Sequence, residues 1–95
     1  MWVRLTLAKI QPDKMDEFRK IYNEEIVPTV KPQKGNVHIF LMESVDEVGD
    51  GISFSAWDSK EDGDTYEASG TYAEMVNKIK HLFVGPPTLK SYEVK

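Results

Sequence analysis

The sequence predicts an α+β fold of the ferredoxin-like kind, a βαββαβ antiparallel sheet with its helices on one face. Three observations predict it. Four short segments alternate side chains with period two, as strands do. Two longer segments between them place apolar residues at helical spacing. The strands also carry large apolar residues on both faces: Val3, Leu5 and Leu7 against Trp2; Val37, Ile39 and Leu41 against Phe40 and Met42; Ile52 and Phe54 against Trp57. Two helices cover only one side of such a sheet. An open face bearing Trp2, Phe40 and Met42 is an apolar patch that monomers rarely expose, so a homodimer is expected.

The first strand is Trp2 to Lys9. Gln11-Pro12-Asp13 then opens a helix, with proline at its first position and acid in its first turn. Met15, Phe18, Tyr22 and Ile26, joined by Ile21, form its apolar stripe, and Pro28 and Pro32 bound or kink its end before Gly35 closes it. Val37 to Ser44 is the second strand. Asp46 to Gly51 is a hairpin turn, its glycines supplying positive φ. Ile52 to Trp57 is the third strand. It runs into a helix whose cap is Ser59, with Asp62 three residues on.

That second helical region is expected to be broken. Gly63 costs about 1 kcal/mol against alanine in a helix interior, and Ser69-Gly70 reads as an interruption. Thr71 to Glu74 looks like a second capping box, followed by a stripe of Tyr72, Met75, Val76, Ile79 and Phe83. Gly85-Pro86-Pro87 stops the helix, and Thr88 to Lys95 is the last strand.

Composition excludes several functions. Ninety-five residues suit one domain, read here as 1–95. A net charge of −4 argues against nucleic acid, which needs a basic stripe. Without cysteine there is no disulfide, thiolate metal site or thiol nucleophile. The acidic run Asp58, Glu61, Asp62, Asp64 and Glu67 lacks calcium-loop spacing and suits a helix start, so no metal is expected. No apolar run spans a membrane and the N-terminus lacks a secretory pattern, so a cytoplasmic protein with no membrane partner is expected.

The strings Val3-Arg-Leu-Thr-Leu-Ala-Lys9, Trp57-Asp-Ser59-Lys60, Ser69-Gly-Thr-Tyr72 and Gly85-Pro-Pro carry a further signal, as does the Pro28 to Gly35 approach to strand two. Over essentially the whole chain they resemble the antibiotic biosynthesis monooxygenase-like family, the dimeric α+β barrel group. The resemblance implies two sheets dimerising into an α+β barrel. It also implies an activity among those of the family: oxidation of aromatic polyketide or hydroquinone substrates without metal or flavin, or haem degradation. Haem-degrading relatives carry an Asn, a Trp and a His ligand where this chain has Val3, Tyr66 and Val76, so haem chemistry is not expected. Two other polar groups common in the family, a Glu before the strand-end Trp and a His in the helix turn, are replaced by Ser55 and Thr71.

Trp57 is a candidate catalytic residue. Its indole N–H is a donor for a substrate oxygen, although the residue suits a core or dimer interface equally well. His38 is the other, a base for a phenol near pH 7 if it faces the cavity, or else a half-buried strand histidine. His81, near a helix end, reads as structural or solvated. Arg4 shares a face with Trp2 and Thr6, expected to meet the partner. There it would form an interface ion pair or anchor an anionic substrate. Tyr66, Tyr72, Phe54, Met75 and Ile79 are candidate substrate-binding residues, or plain core.

The expected function is a cofactor-independent oxygenase-like enzyme acting on a small aromatic of hydroquinone or polyketide type. Such a ring passes an electron to O₂ once deprotonated, so the protein need only bind, desolvate and help remove a proton. The alternative is a non-catalytic, dimeric small-ligand-binding or stress-related module.

Overall fold

A computed structural model describes residues 1–95. The chain runs β1 (Trp2–Lys9), α1 (Met15–Ile21), a π-helical turn (Tyr22–Ile26), α2 (Val27–Val30), β2 (Asn36–Glu43), β3 (Asp50–Trp57), α3 (Lys60–Glu67), α4 (Gly70–Ile79) and β4 (Thr88–Glu93). The strands form one antiparallel sheet in the order β2-β3-β1-β4. This is the ferredoxin-like arrangement, with the helical segments packed on one side.

Register fixes which side chains face the helices. Trp2 lies opposite Trp57, Arg4 opposite Ser55, Thr6 opposite Ser53 and Ala8 opposite Gly51. Ile39 and Leu41 continue this row on β2, opposite Ser55 and Ser53. Strand alternation sends their neighbours to the other face: Val3, Leu5, Leu7, Ile52, Phe54, Ala56, His38, Phe40 and Met42. Trp2 and Arg4 therefore sit under the helices rather than on the open face expected for them. The open face does carry Phe40 and Met42, and Phe40 stacks flat on Phe54 at 4.7 Å.

Glycine at position 63 explains how α3 reaches the sheet. A Cβ there would collide with the edge of the Trp2 ring. The residue that weakens a helix interior by propensity is the one that lets this helix lie flat on an indole.

The first helical region is continuous through Pro28, where the sequence suggested a boundary or a kink. Its buried residues are Met15, Phe18, Tyr22, Ile26 and Val30, so the last three steps are each four residues. An α-helix turns every 3.6 residues, and repeated fours drift off its face. The wider π turn keeps Tyr22 and Ile26 on the core side. It also ends just before Pro28, which has no N–H to give to the preceding turn.

At the second helical region Ser59 accepts from the Asp62 N–H, as expected. The cap of α4 is Ser69, which accepts from the Tyr72 N–H at 3.3 Å, and not Thr71. The serine has extended backbone at the break, so it is the residue free to cap.

Candidate functional site

The small side chains at the centre of the helix-facing sheet leave room. Gly51, Ser53, Ser55, Thr6 and Ala8 form a low floor beneath the larger residues of the helices, and a cavity of about 130 Å³ lies between them. Phe18, Tyr22, Ile26 and Val30 wall it on one side; Trp57, Tyr66, Tyr72, Met75, Val76, Ile79 and Phe83 wall it on the other. The α1 side is closed by buried residues, whereas Arg4, Thr6, Glu67, Tyr72, Val76 and Pro87 are half-buried or exposed. The mouth therefore lies between β1 and the α3–α4 break.

Three aromatics make the inner wall. Tyr66 stacks on Trp57 with ring centres 5.3 Å apart, and Tyr72 meets Tyr66 edge-on at 5.6 Å. Ser69 holds this corner together. It caps α4 and donates its own hydroxyl to the Tyr66 carbonyl at 2.5 Å. The break between α3 and α4 is thus what lets two tyrosines converge on the strand-end tryptophan.

The floor carries hydroxyls. Tyr22 donates to the Phe40 carbonyl at 3.1 Å and lies 2.6 Å from Ser53 Oγ. With its one proton on Phe40, the Tyr22 oxygen accepts from Ser53. Burial pushes the Tyr22 hydroxyl up to about 12, with the Ser53 bond opposing. Burial, followed by the neighbouring tyrosines and Glu67, pushes Tyr66 up to about 12 as well. Tyr72 is raised in the same direction, first by burial. All three are neutral hydroxyls near pH 7.

Charge enters at the mouth. Arg4 Nε donates to Glu67 Oε2 at 2.9 Å, and its Nη2 donates to Oε1 at 3.0 Å. The guanidinium lies over the Trp2 ring, 5.0 Å from its centre. Both charged side chains are about one-fifth exposed. Arg4 is thus in an intramolecular ion pair, where the sequence suggested one across an interface.

Of the sequence-predicted site residues, Trp57, Tyr66, Tyr72, Met75 and Ile79 line the cavity together. His38 and Phe54 lie on the other face of the sheet, because their register partners are Ala56, Leu5 and Phe40. His38 is exposed there, 6.4 Å from the Phe40 ring. It is therefore not the internal base that a cavity-facing position would have made it. The Trp57 N–H is also engaged, donating to Ser55 Oγ at 3.2 Å. Tyr22, Ser53 and Glu67 are lining residues that the sequence did not single out for the site. The 22–26–30 spacing of the first helix was the available signal for Tyr22.

A sequence model described as antibiotic biosynthesis monooxygenase matches residues 1–78. The chain belongs to the antibiotic biosynthesis monooxygenase family. Solved structures agree in fold. A candidate antibiotic biosynthesis monooxygenase from Nitrosomonas europaea superposes with a TM-score of 0.84 at 16% identity, over 99% of this chain and 98% of that one. One from Deinococcus radiodurans gives 0.86 at 16% identity, over 100% and 93%. SnoaB, a cofactor-independent oxygenase from Streptomyces nogalater, gives 0.84 at 11% identity, over 99% and 92%. At these identities the likeness is one of fold. No curated protein matches the chain.

Within this member of the antibiotic biosynthesis monooxygenase family, the cavity-facing residues of strand one are Arg4, Thr6 and Ala8. Val3, set beside haem-family positions above, points to the other face of the sheet, whereas Val76 lines the cavity. No group of three or more His, Cys, Asp or Glu side chains is placed to hold a metal ion. No helix is long and apolar enough to cross a membrane.

Proposed function

We propose that this protein is a cofactor-independent oxygenase acting on a small phenolic aromatic of the hydroquinone type, and that it works as a homodimer. The observation that carries the reading is the cavity wall of Trp57, Tyr66 and Tyr72, faced by neutral hydroxyls and open at one charged edge. An apolar, aromatic-walled slot holds a flat ring and keeps water from it. Met75 and Ile79 would bound that ring. SnoaB, which shares this fold and is a cofactor-independent oxygenase, supports the same chemistry.

Size narrows the substrate. A cavity of about 150 Å³ takes a benzene ring, so this one, at about 130 Å³ and open at its mouth, is on the scale of one ring. A bicyclic hydroquinone fits with its second ring in the mouth; a tricyclic anthrone projects further. Once ionised, the hydroquinone takes one oxygen atom of O₂ at an unsubstituted ring carbon and leaves as the hydroxyquinone, the other oxygen atom leaving as water with two of the hydroquinone's hydrogens. For an anthrone, one oxygen atom enters the ring methylene as a carbonyl and the other leaves as water with its two hydrogens.

The dimer is proposed from the open sheet face. Phe40 and Met42 are 43% and 39% exposed in the single chain, beside Leu5, Leu7, Ile52 and Phe54. A second copy of the sheet covers such a face most simply.

A second reading, a small-ligand-binding module without chemistry, is favoured by two observations. No histidine lines the cavity, and the Trp57 donor is already engaged. Oxygen uptake with menadiol-type hydroquinones tests between the two. Saturable uptake above the uncatalysed rate is expected. Uptake at background, with saturable binding of the quinone, would establish the binding module instead.

A further inference from the structure

We propose that Arg4 receives the ionised hydroxyl of the phenolic substrate at the cavity mouth, and that Glu67 is the residue that positions it. The inference rests on the oxygenase reading and names the group that stabilises the phenolate in a cavity that no histidine lines.

Arg4 has the right chemistry left over. A guanidinium carries five N–H donors in a rigid fork. Two go to the Glu67 carboxylate, and no other protein acceptor takes the remaining three. The guanidinium carbon lies over the Trp2 ring, 5.0 Å from its centre. A bidentate partner at one edge and an indole beneath restrain the guanidinium. A donor set fixed in advance, where charge will develop, stabilises that charge without reorganising.

The surroundings leave Arg4 as the one cation there. The ionisable groups lining the cavity with it are Glu67 and Tyr66 from α3, Tyr72 from α4 and Tyr22 from the π turn. The strands beside it set Ser55 and Ser91 opposite. The three tyrosines stay neutral, their hydroxyls raised chiefly by burial. Glu67 balances the charge of Arg4 before substrate arrives, so the neutral phenol meets an ion pair with no net charge. The phenol O–H bond then breaks, the proton passes to water at the mouth, and the oxyanion takes the free N–H groups of Arg4.

The test uses 2-naphthol, a bicyclic phenol whose ionised form absorbs at longer wavelength, titrated anaerobically onto the purified protein between pH 6 and 10. Bound to wild type, naphthol should ionise at least one pH unit lower than in buffer, a tenfold or greater rise in the ionised-to-neutral ratio. Arg4→Met should abolish the shift. Glu67→Gln should keep or enlarge it, having removed a negative neighbour, while lowering kcat for hydroquinone oxidation about tenfold by freeing the guanidinium. Arg4→Lys should restore part of the shift and little of the rate.

A pair that merely tied β1 to α3 would cost stability in all three variants and move the titration of bound naphthol in none. Should the variants not fold, wild type alone decides. Its preference for naphthol over 2-methoxynaphthalene should grow severalfold as pH rises from 7 to 10, towards the tenfold limit of a one-unit shift. A flat ratio, an unshifted titration or no binding of naphthol overturns the proposal. Oxygen uptake without a naphthol shift removes Arg4 and keeps the oxygenase. A naphthol shift without oxygen uptake removes the oxygenase and keeps the phenolate site.

Discussion

The indole N–H of Trp57 donates to the hydroxyl of Ser55, two residues back on the same strand, at 3.2 Å. Residues two apart on a strand share a face, so this bond comes from the pleat itself. It takes the tryptophan donor out of play for a substrate and fixes the ring as the floor on which Tyr66 stacks. Ser55, having accepted, keeps its own proton, which it can turn into the cavity.

Ser55→Ala should therefore act through Trp57. The N–H, on a side chain only 1% exposed, loses its acceptor, which costs about 1–3 kcal/mol when no water replaces it. Because the cavity lies alongside, the lower end is expected. In a urea titration the midpoint should fall with an unchanged slope. No change in midpoint would mean that the bond contributes nothing.

Gly63→Ala tests how α3 sits on the sheet. Helix propensity alone predicts a gain of about 1 kcal/mol. The Trp2 ring occupies the space of the new methyl group, and overpacking of this kind costs about 1–3 kcal/mol. The net effect should be destabilising, read as a lower melting temperature. A higher one would show that Trp2 moves aside without penalty.

Alkaline pH should weaken the fold through buried tyrosines. Tyr22 and Tyr66 are held at about 12, first by burial, against about 10 in the unfolded chain. Between those values the native state binds more protons than the unfolded one. The stability they contribute is fully present below pH 10 and is lost as pH rises through 12. Tyrosinate absorbance should show part of the tyrosine signal ionising late, alongside a falling urea midpoint. All four tyrosines titrating together near 10 would contradict this.

The open sheet face predicts a dimer mass by light scattering at micromolar concentration. Phe40→Asp puts a charge against the stacked Phe54 and should give a folded monomer. A wild-type monomer would contradict the assembly. Arg4→Ala, by contrast, should act on the cavity rather than directly on this face, because Arg4 lies on the helix side.

The strands, their order and their alternation were legible because period-two patterning is local. Faces were not. Alternation says that Arg4 and Trp2 share a side, and that His38 and Phe40 share one. It does not say which side meets the helices when both carry large apolar groups. That choice is made by Gly63, which admits Trp2, and by Glu67, which binds Arg4 from 63 residues away. The serine cap at the α3–α4 break was hidden by the equally plausible Thr71. The cavity was half-visible: its aromatic wall follows from strand end and helix stripe, but its floor depends on small residues of β1 and β3 meeting in register.

The most direct test of the central claim compares oxygen uptake with a menadiol-type hydroquinone in three proteins: wild type, Val76→Trp and His38→Gln. Val76 is at the mouth of the cavity, and His38 is on the opposite face of the sheet. Wild type should accelerate uptake saturably, Val76→Trp should bring it near background by filling the mouth, and His38→Gln should leave it within about twofold. Loss of uptake in His38→Gln, with Val76→Trp unaffected, would contradict the account and put the chemistry on the open face of the sheet.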